Sequence, residues 1–211
     1  KEYGGHGLRL LDASLITEEL NAGCSGIAGM ICINSLACGP ILIGGTDEQK
    51  RIFYTALYRT YLMPTVFNDV NGDYFGFDKQ VHRASGFRYY TDLSLWDTFR
   101  TVHPLFTLLA PNEQRDMLVS LVEMSKQGGC LPRWPSGNCY TNSMLGTPAD
   151  IVIAESYVKG IRDFDVESAY AAMRKTAIEP TPSGAPYSGR EGVEHYLKHG
   201  YCPAEFMKEA V

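Results

Sequence analysis

The feature that most constrains this chain is punctuation. Apolar residues recur at helical spacing only in short stretches, and each stretch is closed by Gly or Pro. Gly39-Pro40, Pro64, Gly128-Gly129, Gly160 and Gly200 are such stops, while Pro111 precedes a stretch and Pro104 interrupts one. Start signals sit beside them. Thr46-Asp47-Glu48-Gln49 is a capping box, in which hydroxyl and amide each satisfy a backbone N–H of the other residue. Thr147-Pro148 reads as N-cap and first helical residue, and Asp165 as another cap. The expected helices are 10–21, 25–38, 47–63, 95–109 with a break or kink at Pro104, 112–127, 148–159, a segment after Asp165, and 190–199. Met117, Leu118, Leu121 and Val122 form one apolar stripe. Ile151, Ala154 and Val158 form a second, and Val166, Tyr170 and Met173 a third. Between them lie a turn-rich loop over 68–78 centred on Asn71-Gly72, and two long loops, 131–146 and 181–189. The fold class is therefore mainly α, successive helix pairs joined by long loops.

Composition narrows the function classes. Of 211 residues, 45% are hydrophobic and 20% charged, as in an ordinary globular protein. A net charge of −5 with no clustered Lys or Arg argues against a nucleic-acid partner. No apolar run approaches the ~20 residues that span a bilayer, so no membrane partner is expected. Beginning at Lys1, with no signal-peptide pattern, is what a processed chain or a fragment shows. The six cysteines include no CxxC, and buried free thiols suit them better than bridges. Asp69, Asn71 and Asp73 fall at calcium-loop spacing, but Tyr74 stands where that loop needs Gly and Gln80 where it needs Glu. His195, His199 and Cys202 lack an evident fourth ligand. The first group is read as a turn and the histidines as a solvent-facing pair, and no metal is assigned.

Two regions concentrate residues suited to a sugar. In Ser94-Leu95-Trp96-Asp97-Thr98-Phe99-Arg100, an indole, a carboxylate and a guanidinium fall within one helical turn. An indole face stacks on the apolar face of a hexose, while Asp accepts from and Arg donates to vicinal hydroxyls. The same spacing suits a core Trp beside a surface ion pair. The loop 131–146 holds Arg133, Trp134 and Tyr140. A loop of that length is either functional or packed over a core.

Together these strings resemble glycoside hydrolase family 92. The resemblance is carried by Phe53-Tyr54-Thr55-Ala56-Leu57-Tyr58-Arg59, the Ser94–Arg100 string and Leu131-Pro132-Arg133-Trp134. It continues through Met144-Leu145-Gly146 with Ala149-Asp150, and Ala154-Glu155-Ser156-Tyr157-Val158-Lys159-Gly160-Ile161. It covers about 50–205. It implies a calcium-dependent, exo-acting, inverting α-mannosidase, secreted or periplasmic, acting on mannose-containing oligosaccharides or glycans. It also implies that residues 50–211 are part of an (α/α)6 barrel. Trp96, Asp97 and Arg100 would line the mannose subsite, with Arg133, Trp134 and Tyr140 beside it. The sequence departs from the family pattern where it matters. Many members have Asn-Glu-Thr before Met-x-Gly, the Glu being the general acid, and Tyr140 stands at that place. The Gly-Asn-Glu-Pro and Asp-rich motifs that supply calcium ligands and the general base do not occur in these residues. The catalytic residues are thus unassigned, calcium belongs to the complete family enzyme, and the chain alone is expected to be inactive.

The first 49 residues resemble another family. Tyr3-Gly4-Gly5-His6-Gly7-Leu8, Ile16-Thr17-Glu18-Glu19-Leu20 and Gly45-Thr46-Asp47-Glu48-Gln49-Lys50 look like the helical N-terminal domain of acyl-CoA dehydrogenases, which use FAD. The parts of that family that contact flavin and carry the catalytic carboxylate are missing from the match. The chain reads as a fusion with its seam between Gly44 and Arg51. An FAD-dependent dehydrogenase and a non-catalytic helical module are the alternatives to a glycosidase.

Overall fold

The computed structural model describes residues 44–205. The helices expected over 10–21 and 25–38, and Cys24, Cys32 and Cys38, lie outside them. Two compact units divide between Arg59 and Thr60. Helix α1 (Asp47–Thr60), in the first but for its last residue, opens as the capping box predicts. Gln49 N donates to Thr46 Oγ1 at 3.3 Å, and Thr46 N donates to Gln49 Oε1 at 2.9 Å. The helix stops three residues before the expected Met63, because the residues leading into Pro64 are pushed toward extended backbone.

The second unit runs in the order β1 (Thr65–Val66), β2 (Asp73–Phe75), β3 (Val81–Arg83), β4 (Tyr90–Thr91), α2 (Leu95–Thr98), α3 (Val102–Leu109) and α4 (Pro111–Gly128). It continues through β5 (Pro135–Ser136), β6 (Cys139–Tyr140), α5 (Pro148–Val158), α6 (Val166–Ile178) and α7 (Val193–His199). The architecture is mainly α, with three two-stranded antiparallel pairs, β1–β4, β2–β3 and β5–β6. The β2–β3 hairpin replaces part of the expected 68–78 loop. Gly72, at φ +90°, makes its entry turn, and a Cβ there would lie 2.8 Å from Ala84 O. Asn71 Nδ2 donates to Asp73, whose carboxylate also pairs with Arg83 Nε at 2.7 Å, so this is a turn.

The expected helix 95–109 is two helices. Pro104 has no N–H for Arg100 O, and its ring would collide with that carbonyl. The break therefore falls upstream, after Thr98, and Pro104 sits in the first turn of α3, where the missing N–H costs nothing.

Helix α4 is the centre of the core. Met117, Leu118, Leu121, Val122 and Met124 are buried, as the stripe predicts except for the added Met124. Each large apolar side chain so buried contributes roughly 1.5–3 kcal/mol. Helices α3, α5 and α6 and strand β4 pack on α4. The second stripe is misread, and the third holds only in part, with Met173 packed on the core and Val166 half-buried. Ile151 and Val158 are exposed, and α5 buries Ala149, Val152, Ile153 and Ser156 instead. Tyr170 is exposed, and α6 buries Ala169 and Thr176. Helix α7 begins at Val193, not Arg190, because Gly192 caps it in the left-handed region. Cys130 is a buried thiol as expected, whereas Cys139 is exposed.

A buried polar chain ties three helices together. Gln114 Nε2 donates to Ser156 Oγ at 3.0 Å, so Gln114 Oε1 accepts from His103 Nδ1 at 2.9 Å. Burial pushes the His103 pKa from 6.5 down to about 4, against the Gln114 hydrogen bond. The unfolded chain then binds a proton that the folded chain refuses. Stability from this residue is complete above pH ~6.5 and falls as pH drops toward ~4, by about 3 kcal/mol at most. NMR titration of the His103 Cε1–H should show neutral imidazole down to pH 5. A midpoint near 6.5 would contradict the buried chain.

Candidate functional site: an aromatic and acidic surface joined from two motifs

The Ser94–Arg100 string and the loop after Leu131 meet. Trp134 Nε1 donates to Ser94 Oγ at 2.7 Å. Ser136 Oγ donates to Asp92 Oδ1 at 3.0 Å, and Thr91 Oγ1 donates to Gly137 O at 2.8 Å. The pairs 134–94, 136–92 and 137–91 run in opposite senses along the two segments. They form a side-chain ladder in the place of strand pairing. Asp92 is held at φ +55°, unusual for a residue with a Cβ, and its bond to Ser136 is one of the contacts that keep it there. The ladder is anchored from below, where Tyr90 N donates to the buried Ser120 Oγ of α4 at 2.9 Å.

Short helix α2 displays the candidate trio. Trp96 is half-buried, and Asp97 and Arg100 are exposed. Ser94 Oγ donates to Asp97 Oδ2 at 2.6 Å. Arg100 lies beyond the end of α2. Its guanidinium donates to Trp96 O, one of the carbonyls that the helix end leaves open, and stacks 4.5 Å over the Trp96 ring and 4.2 Å over Phe99. Trp96 and Phe99 meet edge to face at 5.9 Å. The i,i+4 contact of Trp96 with Arg100 is present. Asp97 is directed to Ser94, and Arg100 covers part of the indole. The trio is open to solvent. The two described cavities, of about 320 and 520 Å³, are lined by other residues, beginning with Tyr61 and Leu62 in one and Gly86 and Pro111 in the other.

Arg133 and Tyr140 sit differently. Arg133 is 8% exposed, and its guanidinium donates to Met144 O at 3.2 Å and Gly189 O at 2.6 Å, with Glu191 at 3.3 Å. It straps the loop 131–146 to the loop before α7. Tyr140 points down to the end of α4, where its hydroxyl donates to Cys130 O at 2.7 Å and accepts from Cys130 N at 3.3 Å. Phe77 packs edge-on at 4.7 Å, and burial pushes the Tyr140 hydroxyl pKa well above its ordinary value.

Ser94 carries a role, and Asp150 a burial, that residue spacing did not single out. Ser94 appeared only inside a longer string, and its partner lies forty residues away. Asp150, in the first turn of α5, has its carboxyl raised to about 6 by burial, offset by a hydrogen bond from Thr147 and by Arg190. Nothing in the local sequence marks that burial. Among the described residues, no group of three or more His, Cys, Asp or Glu is placed to hold a metal ion. No helix among them is long and apolar enough to cross a membrane.

Comparison with known proteins gives this surface its context. The model of the glycosyl hydrolase family 92 catalytic domain matches residues 37–211. The chain belongs to that family. Residues 1–60 match the acyl-CoA dehydrogenase N-terminal domain, as the suspected fusion requires. An uncharacterized secreted glycosidase of Arthroderma benhamiae is 29% identical over 77% of this chain and 17% of its own length. A probable medium-chain specific acyl-CoA dehydrogenase of Caenorhabditis briggsae is 37% identical over 34% of this chain and 19% of its own. A family GH92 α-mannosidase of Bacteroides thetaiotaomicron, solved with mannoimidazole, is 35% identical with a TM-score of 0.65, over 72% of this chain and 19% of that one. A family GH92 inverting mannosidase of the same species is 38% identical with a TM-score of 0.67, over 76% and 22%. The chain thus spans about a fifth of the length of these relatives. The described residues that align with these structures are mainly helical.

The packing of Tyr140 generates a test. A Cβ on Gly128 would collide with the Tyr140 hydroxyl and come within 2.8 Å of two ring carbons. Gly128→Ala should therefore cost about 1–3 kcal/mol in urea unfolding, since the ring has to move. An unchanged midpoint would show that Tyr140 does not rest on α4.

Proposed function

We propose that this chain carries the mannose-binding face of an α-mannosidase catalytic domain and binds terminal α-mannosides without cleaving them. The observation that carries the reading is the joining of two sequence-distant motifs at one open surface through Trp134, Ser94 and Asp97. The solved relatives named as mannosidases, one of them with mannoimidazole bound, support it. On this reading residues 50–211 are a portion of the (α/α)6 barrel, and residues 1–49 are a separate segment of acyl-CoA dehydrogenase type. Trp96 and Trp134 offer indole surface to the sugar ring, Asp97 accepts from its hydroxyls, and Arg100 donates. Arg133 and Tyr140 serve the subsite indirectly, by holding the loop.

The proposal of binding without hydrolysis follows from the missing chemistry. Inversion needs an acid and a base with roughly 6.5–9.5 Å between their carboxyls, and a water between them. The family position of the acid holds Tyr140, whose proton is committed to Cys130 O and whose pKa is raised. Calcium enters only in the complete family enzyme, and no step here passes through it. The exo mode, the inverting outcome and export to the cell exterior are carried over from the family. The dehydrogenase alternative rests on the first 60 residues alone. Bound flavin in the purified chain would favour it.

Methyl α-mannoside should quench or shift the tryptophan emission of the chain saturably, and Asp97→Ala should weaken that binding about tenfold or more. No mannose should be released, with or without added calcium. A full saturation curve with methyl α-mannoside that Asp97→Ala leaves unchanged removes the site assignment. Mannose release by the purified chain overturns the binding-only reading.

A further inference from the structure

We infer that Ser94 is the positioning residue of this surface, setting the carboxylate of Asp97 and the indole of Trp134 with one hydroxyl. The inference rests on the mannoside reading above and adds to it which residue orders the site. The geometry leaves one assignment of roles. An indole N–H only donates, so at 2.7 Å Ser94 Oγ is the acceptor for Trp134. A hydroxyl has one proton, and at 2.6 Å from Asp97 Oδ2 that proton goes to the carboxylate. Such a charge-assisted bond is among the stronger ones. Asp97 is thereby held through Oδ2, and Oδ1 is left for an incoming hydroxyl donor. Trp134 stays half-buried, with its ring plane fixed by the same oxygen. Arg100 stacks on Trp96 and Phe99 and does not take over this task.

The other two rungs make the role separable from folding. Ser136–Asp92 and Thr91–Gly137 hold the backbones of the two segments together without Ser94. Removing the Ser94 hydroxyl releases Asp97 and Trp134 but leaves the loop attached. Removing the Ser136 hydroxyl loosens the loop but leaves Ser94 with both partners.

The test uses the full chain with Ser94→Ala, Ser94→Thr and Ser136→Ala. In Ser94→Ala the ¹H–¹⁵N resonance of the Trp134 indole N–H should move and exchange faster with solvent, with that of Trp96 little changed. Ser94→Thr should restore it. Methyl α-mannoside should bind about tenfold more weakly to Ser94→Ala, near normally to Ser94→Thr, and within about twofold of wild type to Ser136→Ala. An unmoved Trp134 resonance in Ser94→Ala overturns the proposal, whatever the sugar does. So does a moved resonance with unchanged mannoside affinity, which leaves the carbohydrate reading intact. Equal losses in Ser94→Ala and Ser136→Ala reduce Ser94 to loop attachment. Absence of mannoside binding by wild type, with the resonance shift present, defeats the carbohydrate reading and the positioning role with it.

Discussion

Helix α4 carries two polar side chains, Gln114 and Ser120, into the core, and much of the described fold is arranged around them. Gln114 links His103 of α3 to Ser156 of α5. One turn and a half further on, Ser120 accepts the backbone N–H of Tyr90 and so sets the segment that leads into α2. Near the end, Gln127 accepts from Phe77 N and donates to the Tyr74 hydroxyl, whose ring stacks on Tyr89 at 3.8 Å. Gly128 then admits Tyr140. Leu118, Leu121 and Met124 provide the apolar burial, but the polar groups choose which segment docks where. Each is costly to leave unpaired in the core, so register errors are penalised.

That arrangement explains how the candidate site is built from parts distant in sequence. The segment 91–94 is fixed from below through Tyr90 and Ser120. The loop 134–137 is then fixed to it by three side-chain bonds, and Arg133 and Tyr140 hold the same loop at its other side. At the outer end of this construction lie the half-buried Trp96 and the exposed Asp97 and Arg100. The chain joins a segment that matches one enzyme family to a domain segment of another, and this surface lies wholly in the second.

Much of this was legible in the sequence, and the failures have physical causes. Start and stop signals located the cores of α1 and α4 to α7, because caps and Gly or Pro act locally. The split between α2 and α3 required asking which carbonyl Pro104 would strike, not only where Pro104 stands. The stripe of α5 and the Tyr170 position of α6 were misread because periodicity gives a face and not its direction, while Met173 does pack on the core. Ile151, Val158 and Tyr170 are apolar yet exposed, while Ser156 and Thr176 are polar yet buried with partners. The β2–β3 hairpin was missed because three-residue strands are too short to show alternation. At the site, the residue types of the trio were readable, but their partners were not. Ser94 to Trp134 and Arg133 to Gly189 are long-range contacts that no local pattern encodes.

The central claim is that an indole, a carboxylate and a guanidinium are displayed together for a hexose, with Ser94 holding the carboxylate and a second indole from another loop. Diffraction from crystals of this chain soaked in mannose tests it most directly. The account predicts sugar density against Trp96 and Trp134, with hydroxyls within hydrogen-bonding distance of Asp97 and Arg100. Mannose density elsewhere on the chain, with this surface bare, would contradict it.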